Sequence, residues 1–276
     1  MSEKAVFAGR DGRFVASELA RGPWDPEAQH GGAPAALLMR AFESLDGAES
    51  LAMARVTYEF VRPVPLGELE VHAFVARPGK RVQLLEGSIL APGEVEVVRA
   101  RALRIAAADS AEVSTEEPSV PPGPEHGEPN ALAPPHGLPM FAPDAIEIRF
   151  VAGSFGGGPS TAWFRLRHPI VAGEAPSPLQ RLAAAGDFGN GISAALSWDE
   201  FVFINPDLTL YIERPPVGEW ICLQAETRLA AEGIGTAESV LFDERGRVGR
   251  ATQALLVRRR RAATRDGPRR PARPRG

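Results

Sequence analysis

Apolar residues in the first third of the chain recur first at helical spacing and then in strand-like runs. The helical stretch runs from Ala33 to Leu45 and has small residues and Pro34 in its first turns, where proline is tolerated. Turns rich in proline and glycine then separate runs typical of strands at Ala52–Val61, Glu68–Ala76, Val82–Leu90 and Glu94–Ile105. With the alternating segment Arg13–Leu19 in front, the pattern predicts a strand, a helix and four strands.

The same order of elements returns in the second half of the chain. Two strands, a buried helix and four strands are predicted in turn at Ile146–Val151, Ala162–Arg167, Leu179–Leu196, Phe201–Ile212, Trp220–Arg228, Thr236–Phe242 and Val248–Arg258. Individual residues repeat as well, because the run from Thr57 to Arg62-Pro63 returns 152 positions later as Thr209 to Arg214-Pro215. Such a duplication predicts two similar modules related by a pseudo-twofold axis.

A proline-rich stretch separates the two repeats. Nine prolines lie between Ala107 and Pro143, and because proline fixes φ and removes a hydrogen-bond donor, this stretch is predicted to be a semi-rigid linker. The sequence therefore divides into an N-terminal module (10–106), a linker (107–144), a C-terminal module (145–258) and a tail (259–276). The tail combines arginine with proline and glycine and is predicted to be disordered.

Composition narrows the class of protein. No run of about 18 apolar residues occurs, so no membrane span is predicted, and the N-terminus lacks the apolar core of a signal peptide; we expect a cytoplasmic protein. Cys222 is the only cysteine, which excludes an internal disulfide and a multi-cysteine metal site. The five histidines are scattered without metal-ligand spacing. We expect no metal and no cofactor.

The charge is unevenly distributed. The net charge is −4, whereas the segment from Arg258 to Gly276 has nine arginines and one aspartate, a sum of +8, so the rest of the chain carries −12. An acidic body argues against a nucleic-acid enzyme. The tail is either an arm for anionic surfaces or an extension without such a role, and we favour the second. Assembly into a homo-oligomer stays open.

A helix wrapped by a curved antiparallel sheet, with the helix between the first and second strands, is the hotdog fold. Four stretches resemble acyl-CoA thioesterases of the double-hotdog, type II kind: His30–Leu38, Arg55–Pro63, Asp187–Gly191 and Phe203–Pro215. The resemblance covers nearly everything from Phe14 to Arg258 except the linker. It implies an α+β double hotdog that hydrolyses acyl-CoA, or a related acyl thioester, in fatty acyl metabolism. Coenzyme A would enter as part of the substrate.

The resemblance also implies site residues, because type II thioesterases use an Asp, a Thr and a Gln to hold and deprotonate the attacking water. The Asp falls on Asp207 and the Gln on Gln253. Both positions break the repeat, since the first half has Arg55 and Ala102 there. Buried carboxylates and amides are costly unless they are paired, so the two residues are either a structural hydrogen-bonded pair or the pair that activates water.

The Thr of the family's site falls on either of two neighbouring positions in this sequence. An ungapped match puts it on Arg228, with Thr227 one residue earlier, and neighbouring residues of a strand face opposite sides of the sheet. Thr227 therefore serves only if a bulge restores its direction; otherwise Arg228 lines the substrate groove.

The substrate carbonyl needs hydrogen-bond donors, and the predicted helix beginning after His30 offers them. Backbone N–H groups at a helix N-terminus suit a developing negative charge, and Gly31 and Gly32 would let a thioester approach, although tight packing explains the two glycines equally well. His30 is a further candidate for substrate binding, as an additional donor or acid, and the alternative, which we favour, is a capping or solvent role. Gly189 to Gly191 are the corresponding stretch of the second half and a candidate for a second, degenerate site.

Two other functions stay open. A hotdog hydratase or dehydratase would pair an Asp with a His, and no His lies near Asp207 in sequence. A non-catalytic acyl-thioester binding protein would keep the groove without needing Asp207. The absence of a Gly-x-Ser-x-Gly motif disfavours a serine hydrolase.

Overall fold

The structure is a computed structural model that describes residues 4–47, 49–108, 119–129 and 137–260. The predicted tail lies outside the described residues from position 261 on, as do parts of the predicted linker. The first-half elements are β1 (Phe7–Arg10), β2 (Arg13–Ala16), α1 (Gly32–Glu43), β3 (Leu51–Phe60), β4 (Gly67–Arg77), β5 (Val82–Ala91) and β6 (Val95–Ala106). The others are β7 (Glu128–Pro129), β8 (Ile146–Ala152), β9 (Ser160–Leu166), α2 (Pro178–Gly186), α3 (Gly189–Ser193), β10 (Phe201–Ile204), β11 (Asp207–Ile212), β12 (Ile221–Leu229), β13 (Ile234–Asp243) and β14 (Gly246–Arg259).

The described strands form one antiparallel sheet of fourteen strands, in which the two halves have mirrored orders. The first half contributes β1-β2-β4-β5-β6-β3, and the second continues from β3 with β11-β14-β13-β12-β9-β8-β7, while β10 pairs with β14 beside this path. The predicted strands β3 to β6 are confirmed within one residue at each end. None of the described helices is long and apolar enough to cross a membrane.

The halves join edge to edge where β3 pairs with β11. In this pairing Thr57 lies opposite Thr209, its own counterpart in the repeat, and the Thr209 hydroxyl donates to the Thr57 hydroxyl over 3.1 Å. A residue that pairs with its own counterpart marks the local pseudo-twofold axis. The join pairs two strand edges that would otherwise offer free backbone groups to other chains.

The helix predicted over Leu179–Leu196 is wrong as a continuous element. The structure has two helices, α2 and α3, separated by Asp187 and Phe188. Glycine is a poor helix former, and Gly189 is required where it stands, since a Cβ there would lie 2.9 Å from the Ser239 hydroxyl and 3.0 Å from Gln253 Oε1. The predicted strand Phe201–Ile212 is likewise interrupted at Asn205-Pro206, because proline cannot donate to a ladder.

The two long helices lie against each other in opposite directions, and this arrangement places the site. At the end of α1, Glu43 accepts hydrogen bonds from Ser177 Oγ at 2.7 Å and Gln180 Nε2 at 3.2 Å, at the start of α2. At the other end, a Cβ on Gly32 would meet the Ala184 carbonyl oxygen of α2 at 2.4 Å, so the backbones pack closely. The N-terminus of α1 therefore abuts the C-terminus of α2, directly before Asp187.

Candidate active site

A cleft of about 430 Å³ opens where the start of α1, the end of β3, the α2–α3 junction and the β10–β11 interruption meet. Its wall is largely aromatic: the rings of Trp24 and Trp198 stack with centroids 4.5 Å apart, and Phe203 packs against both. Its polar floor consists of His30, Gly31, Asp187, Asn190, Gly191 and Asn205, and Asp25, Gln29 and Arg62 also line the cleft. The cleft thus combines an apolar wall with a small polar floor, as small-molecule sites commonly do.

Asp187 is the carboxyl group of this floor. Its Oδ1 accepts from Asn205 Nδ2 at 2.7 Å and from Gln253 Nε2 at 3.0 Å, and its Oδ2 lies 3.2 Å from His30 Nδ1. Burial raises the pKa of Asp187 to about 7, although hydrogen bonds from Asn205, Gly32 N–H and Gln253 act to lower it. A carboxyl group poised near neutral pH, with one oxygen held by two amides, suits proton transfer.

Gln253 lies in this cluster. Besides its bond to the carboxylate, its Nε2 donates to the Asp187 backbone oxygen at 3.2 Å, and its Oε1 accepts from Asn190 N–H at 3.2 Å. The backbone N–H can only donate, which fixes the direction of the buried amide. Gln253 therefore ties β14 to Asp187 and to Asn190 at the start of α3.

His30 stands beside Asp187 as a neutral ring. Its Nδ1 accepts from Gly32 N–H at 3.1 Å, and the ring stacks on Phe188 with centroids 4.3 Å apart. Burial lowers the pKa of His30 to about 3. Because Nδ1 is an acceptor, the neutral imidazole carries its proton on Nε2, and Nδ1 lies 3.2 Å from Asp187 Oδ2.

The two glycines at the start of α1 have different surroundings. Gly32 N–H is taken by His30, whereas Gly31 N–H has no acceptor among the residues that the structure describes. A Cβ on Gly31 would lie 2.7 Å from Asp187 Oδ2 and 2.8 Å from Phe60 Cζ. Gly31 thus combines the two roles that the sequence suggests for this pair, close packing and an available donor, whereas Gly32 serves packing.

Asp207, the carboxylate that the sequence pairs with Gln253, lies apart from this floor. Its Oδ1 accepts from Ala254 N–H at 2.7 Å, at the point of β14 between its pairings with β10 and β11. Ala254 N–H has no main-chain acceptor at this point, because the strand is interrupted at Asn205-Pro206. The Asp207 carboxylate takes the place of that acceptor. Burial raises the pKa of Asp207, opposed by the bond from Ala254 N–H. The structure therefore brings Gln253 to Asp187 instead of Asp207.

Thr227 and Arg228 follow the ordinary alternation of a strand. Thr227 faces inward without a bulge, since β12 and β13 pair regularly through this point, and its hydroxyl lies 2.7 Å from the Ser193 hydroxyl. Arg228 points to the outer face, where it is exposed and pairs with Glu226 at 3.0 Å. Arg228 does not line the cleft, because neighbours on a strand point to opposite faces.

Sequence reasoning missed Asp187 and Asn205, and it placed Asn190 only in a candidate second site. The available signals were the glycines around Asp187 and Asn190, which disfavour a continuous helix, and the proline after Asn205, which disfavours a continuous strand. The stretch Gly189 to Gly191, considered as a second site, belongs to the same cleft as His30. Within the described ranges, no group of three or more His, Cys, Asp or Glu side chains is arranged to hold a metal ion.

The sequence matches the acyl-CoA thioesterase N-terminal domain over residues 20–105 and the acyl-CoA thioesterase C-terminal domain over residues 117–257. The second match alone covers about half of the chain. The chain therefore belongs to the acyl-CoA thioesterase family, and it is a thioester hydrolase. Among curated proteins, none matches its sequence.

Solved structures share the fold at low sequence identity. A protein assigned as a thioesterase II from Thermobifida fusca is 16% identical, with 94% of this chain and 96% of that chain covered and a TM-score of 0.69. A hot dog fold protein of unknown function from Alicyclobacillus acidocaldarius is also 16% identical, with coverages of 93% and 96% and a TM-score of 0.69. An acyl-CoA thioesterase II from Mycobacterium marinum is 17% identical, with coverages of 90% and 94% and a TM-score of 0.64. These similarities establish a hotdog-type fold.

Proposed function

We propose that the protein hydrolyses acyl-CoA thioesters with a water molecule that Asp187, instead of Asp207, deprotonates. The observation that carries this proposal is the position of the Asp187 carboxyl group. It faces the cleft, Asn205 and Gln253 hold one of its oxygens, and burial raises its pKa to about 7. A general base works best when its pKa lies near the working pH.

In the proposed reaction the water oxygen attacks the thioester carbonyl carbon while Asp187 takes a proton from the water. The tetrahedral intermediate carries its negative charge on the former carbonyl oxygen. When the intermediate collapses, the carbon–sulfur bond breaks and the proton on Asp187 passes to the leaving sulfur. The products are the free acid and coenzyme A, and the residue returns to its starting state. No covalent intermediate is formed with the protein.

The neighbours of Asp187 hold the carboxylate in place for proton transfer. Asn205 and Gln253 donate to Oδ1 and orient the carboxylate that accepts the proton. His30 Nδ1 lies 3.2 Å from Oδ2, but its one lone pair already accepts from Gly32 N–H, so the proton that Asp187 takes from the attacking water stays available for the leaving sulfur. Gly31 N–H, which has no acceptor among the described residues, polarises the thioester carbonyl.

Residues 10–106 and 145–258 are, on this proposal, two hotdog modules that share one functional cleft. The mirrored strand orders and the Thr57–Thr209 pair support this division. Function in cytoplasmic fatty acyl metabolism is part of the same proposal.

One observation favours a second candidate, hydration or dehydration of an acyl thioester. Such chemistry pairs an Asp with a His, and His30 lies beside Asp187. The geometry argues against it, because His30 Nδ1 faces Asp187 and accepts from Gly32 N–H, so the pair does not flank the substrate from opposite sides.

The experiment is a panel of saturated and 2-enoyl-CoA substrates, with free thiol and products followed together. Hydrolysis predicts one thiol released for each acid formed from saturated substrates, and loss of this release in Asp187→Asn. Water addition to the 2-enoyl substrates without thiol release would establish the second candidate instead. Binding of acyl-CoA without either product, in wild type and variant alike, would indicate a non-catalytic binding protein.

A further inference from the structure

We propose that the arginine-rich end of the chain, residues 260–276, binds the phosphate groups in the coenzyme A part of the substrate. This inference rests on the proposed hydrolysis of acyl-CoA and adds a binding site to it. The sequence alone favours an extension without a binding role. The position of Arg260 in the structure instead favours an arm for an anionic ligand.

Arg260 is attached to the aromatic wall of the cleft. Its backbone N–H donates to the Glu200 carbonyl oxygen at 2.7 Å, and its Nε donates to the Trp198 carbonyl oxygen at 2.9 Å. Its guanidinium carbon lies 5.6 Å from the centre of the Trp24 ring. Trp24 and Trp198 both line the cleft. The last sixteen residues therefore continue from a point beside the candidate active site.

The guanidinium of Arg260 has unused hydrogen-bond donors. Its two terminal NH₂ groups have no acceptor among the residues that the structure describes, and the side chain is exposed. The two preceding arginines differ, because Arg259 Nη1 pairs with Glu200 at 2.9 Å and Arg258 Nη1 donates to two carbonyl oxygens. Arg260 is thus the first of the three in which both NH₂ groups are available, and this planar pair of donors matches the oxygens of a phosphate group.

The arginine-rich end is strongly basic, whereas the cleft is not. Seven arginines and one aspartate between positions 260 and 276 give a sum of +6. The charged side chains that line the cleft are one cation, Arg62, and the carboxyl groups of Asp25 and Asp187. Coenzyme A has a diphosphate and a 3′-phosphate, which together carry about four negative charges at neutral pH. The arginine-rich end supplies the positive charge that the cleft lacks.

The arginines can reach these phosphates on any side of the cleft. Sixteen residues follow Arg260, and an extended chain spans at most about 3.3–3.6 Å for each residue, or roughly 50 Å in all. Because they are tethered at Arg260, they have a high effective concentration at the cleft. The phosphates are remote from the reacting carbonyl, so contacts with them bind substrate and transition state equally. Such contacts lower KM and leave kcat unchanged.

The test replaces with glutamine, in the full chain, the six arginines Arg261, Arg265, Arg269, Arg270, Arg273 and Arg275. Steady-state kinetics are measured on one acyl-CoA and on the same acyl group joined to pantetheine, which has no phosphate group. At low salt the six-arginine variant should raise KM for acyl-CoA about 10-fold, because several exposed ion pairs, each weak, are lost together. Its kcat, and its KM for acyl-pantetheine, should match wild type. Arg260→Gln alone should raise KM for acyl-CoA about 2–3-fold.

Arg245→Gln is the matched control. Arg245 is an exposed arginine in the turn before β14, whereas Arg260 follows the other end of this strand, and fourteen residues of strand span about 45 Å. The control should match wild type on both substrates. In wild type, added salt should raise KM for acyl-CoA towards the value of the six-arginine variant, because salt screens exposed charges. KM for acyl-pantetheine should not respond to salt in this way.

Wild-type KM for acyl-CoA in the six-arginine variant at low salt would overturn the inference. An equal rise in KM for acyl-pantetheine would also overturn it, since the arginines would then act on another part of the substrate or on folding. A rise in KM confined to acyl groups on an acidic carrier protein would overturn it in favour of that partner.

Binding of adenosine 3′,5′-bisphosphate, measured by calorimetry, separates this inference from the proposed hydrolysis. The nucleotide has the 3′-phosphate and one phosphate of the diphosphate but no thioester. Its affinity should fall about 10-fold in the six-arginine variant, and equal affinity in variant and wild type would overturn the inference. Failure of the proposed hydrolysis would appear instead as wild-type turnover in Asp187→Asn or as no thiol release from any acyl-CoA.

Discussion

Replacing Asp187 with Asn should make the protein more stable at neutral pH while it removes turnover. Burial raises the pKa of Asp187 from an ordinary 3.8 to about 7. Between these two pH values the unfolded chain has lost the proton that the folded chain still holds. The free energy of unfolding therefore decreases as pH rises. Above about pH 7 both states are ionised and the loss is complete. A pKa difference of about three units between the folded and unfolded states lowers the free energy of unfolding by about 4 kcal/mol at most.

Asparagine avoids this loss and keeps the contacts of Oδ1. Its Oδ1 can accept from Asn205 and Gln253, whereas its Nδ2 gains no bond to His30 Nδ1, whose one lone pair accepts from Gly32 N–H. Because the amide does not ionise, the stability gap between variant and wild type should open between about pH 4 and pH 7 and stay constant above. At 2–4 °C per kcal/mol, the melting temperature at pH 8 should rise by up to roughly 8–16 °C.

The assay is thermal unfolding followed by tryptophan fluorescence from pH 4.5 to 8.5. Asp243→Asn is the matched control, because this substitution should change the stability in the opposite direction. Burial acts to raise the pKa of Asp243, but the bonds from Arg214, Val217 N–H and Arg245 N–H outweigh it and hold the pKa below its usual value. Stability from Asp243 is therefore present above the unfolded pKa and lost as pH falls, so Asp243→Asn should destabilise the protein at pH 8. An Asp187→Asn protein that melts at or below wild type at pH 8 would refute the reasoning.

Three other outcomes follow from the same geometry. In wild type, kcat/KM should rise with pH through about 7 and be lost in acid, because only the ionised Asp187 can accept a proton; a flat profile would exclude this carboxyl group as the base. Gly31→Ala should lower kcat by about 10²-fold, because its Cβ would displace the Asp187 carboxylate 2.7 Å away; wild-type kcat would show that the carboxylate position is not critical. Trp24→Ala should raise KM by about 2–10-fold through loss of its stacking on Trp198; an unchanged KM would place the substrate elsewhere.

The order of elements could be predicted from the sequence because each is signalled locally. Strands such as Val82–Ala91 alternate between apolar and polar residues and end at turns, and the duplicated run around Thr57 and Thr209 indicates how the halves are related. The composition of the site could not be predicted in this way. Which carboxylate meets Gln253 depends on a helix break at Asp187 and a strand interruption at Asn205, and both are set by packing between distant segments.

The difference between Asp207 and its first-half counterpart Arg55 did indicate the part of the chain that contains the site. Asp207 differs from its first-half counterpart because the chain is interrupted just before it, and its carboxylate restores the hydrogen bond that Ala254 N–H would otherwise lack. The same interruption turns Asn205 toward Asp187. A comparison of aligned positions locates such an irregularity, but it does not show which of the neighbouring side chains enters the cleft.

The central claim is that Asp187, and not Asp207, activates the water. It is tested most directly by the thiol release of Asp187→Asn and Asp207→Asn, measured side by side with wild type on one acyl-CoA at pH 8. Because Asn at position 207 can still accept from Ala254 N–H, that variant should keep turnover within a few-fold of wild type. Asp187→Asn should lose about 10²–10⁴-fold, the usual contribution of a general base. Full turnover in Asp187→Asn together with loss of turnover in a folded Asp207→Asn protein would contradict the account.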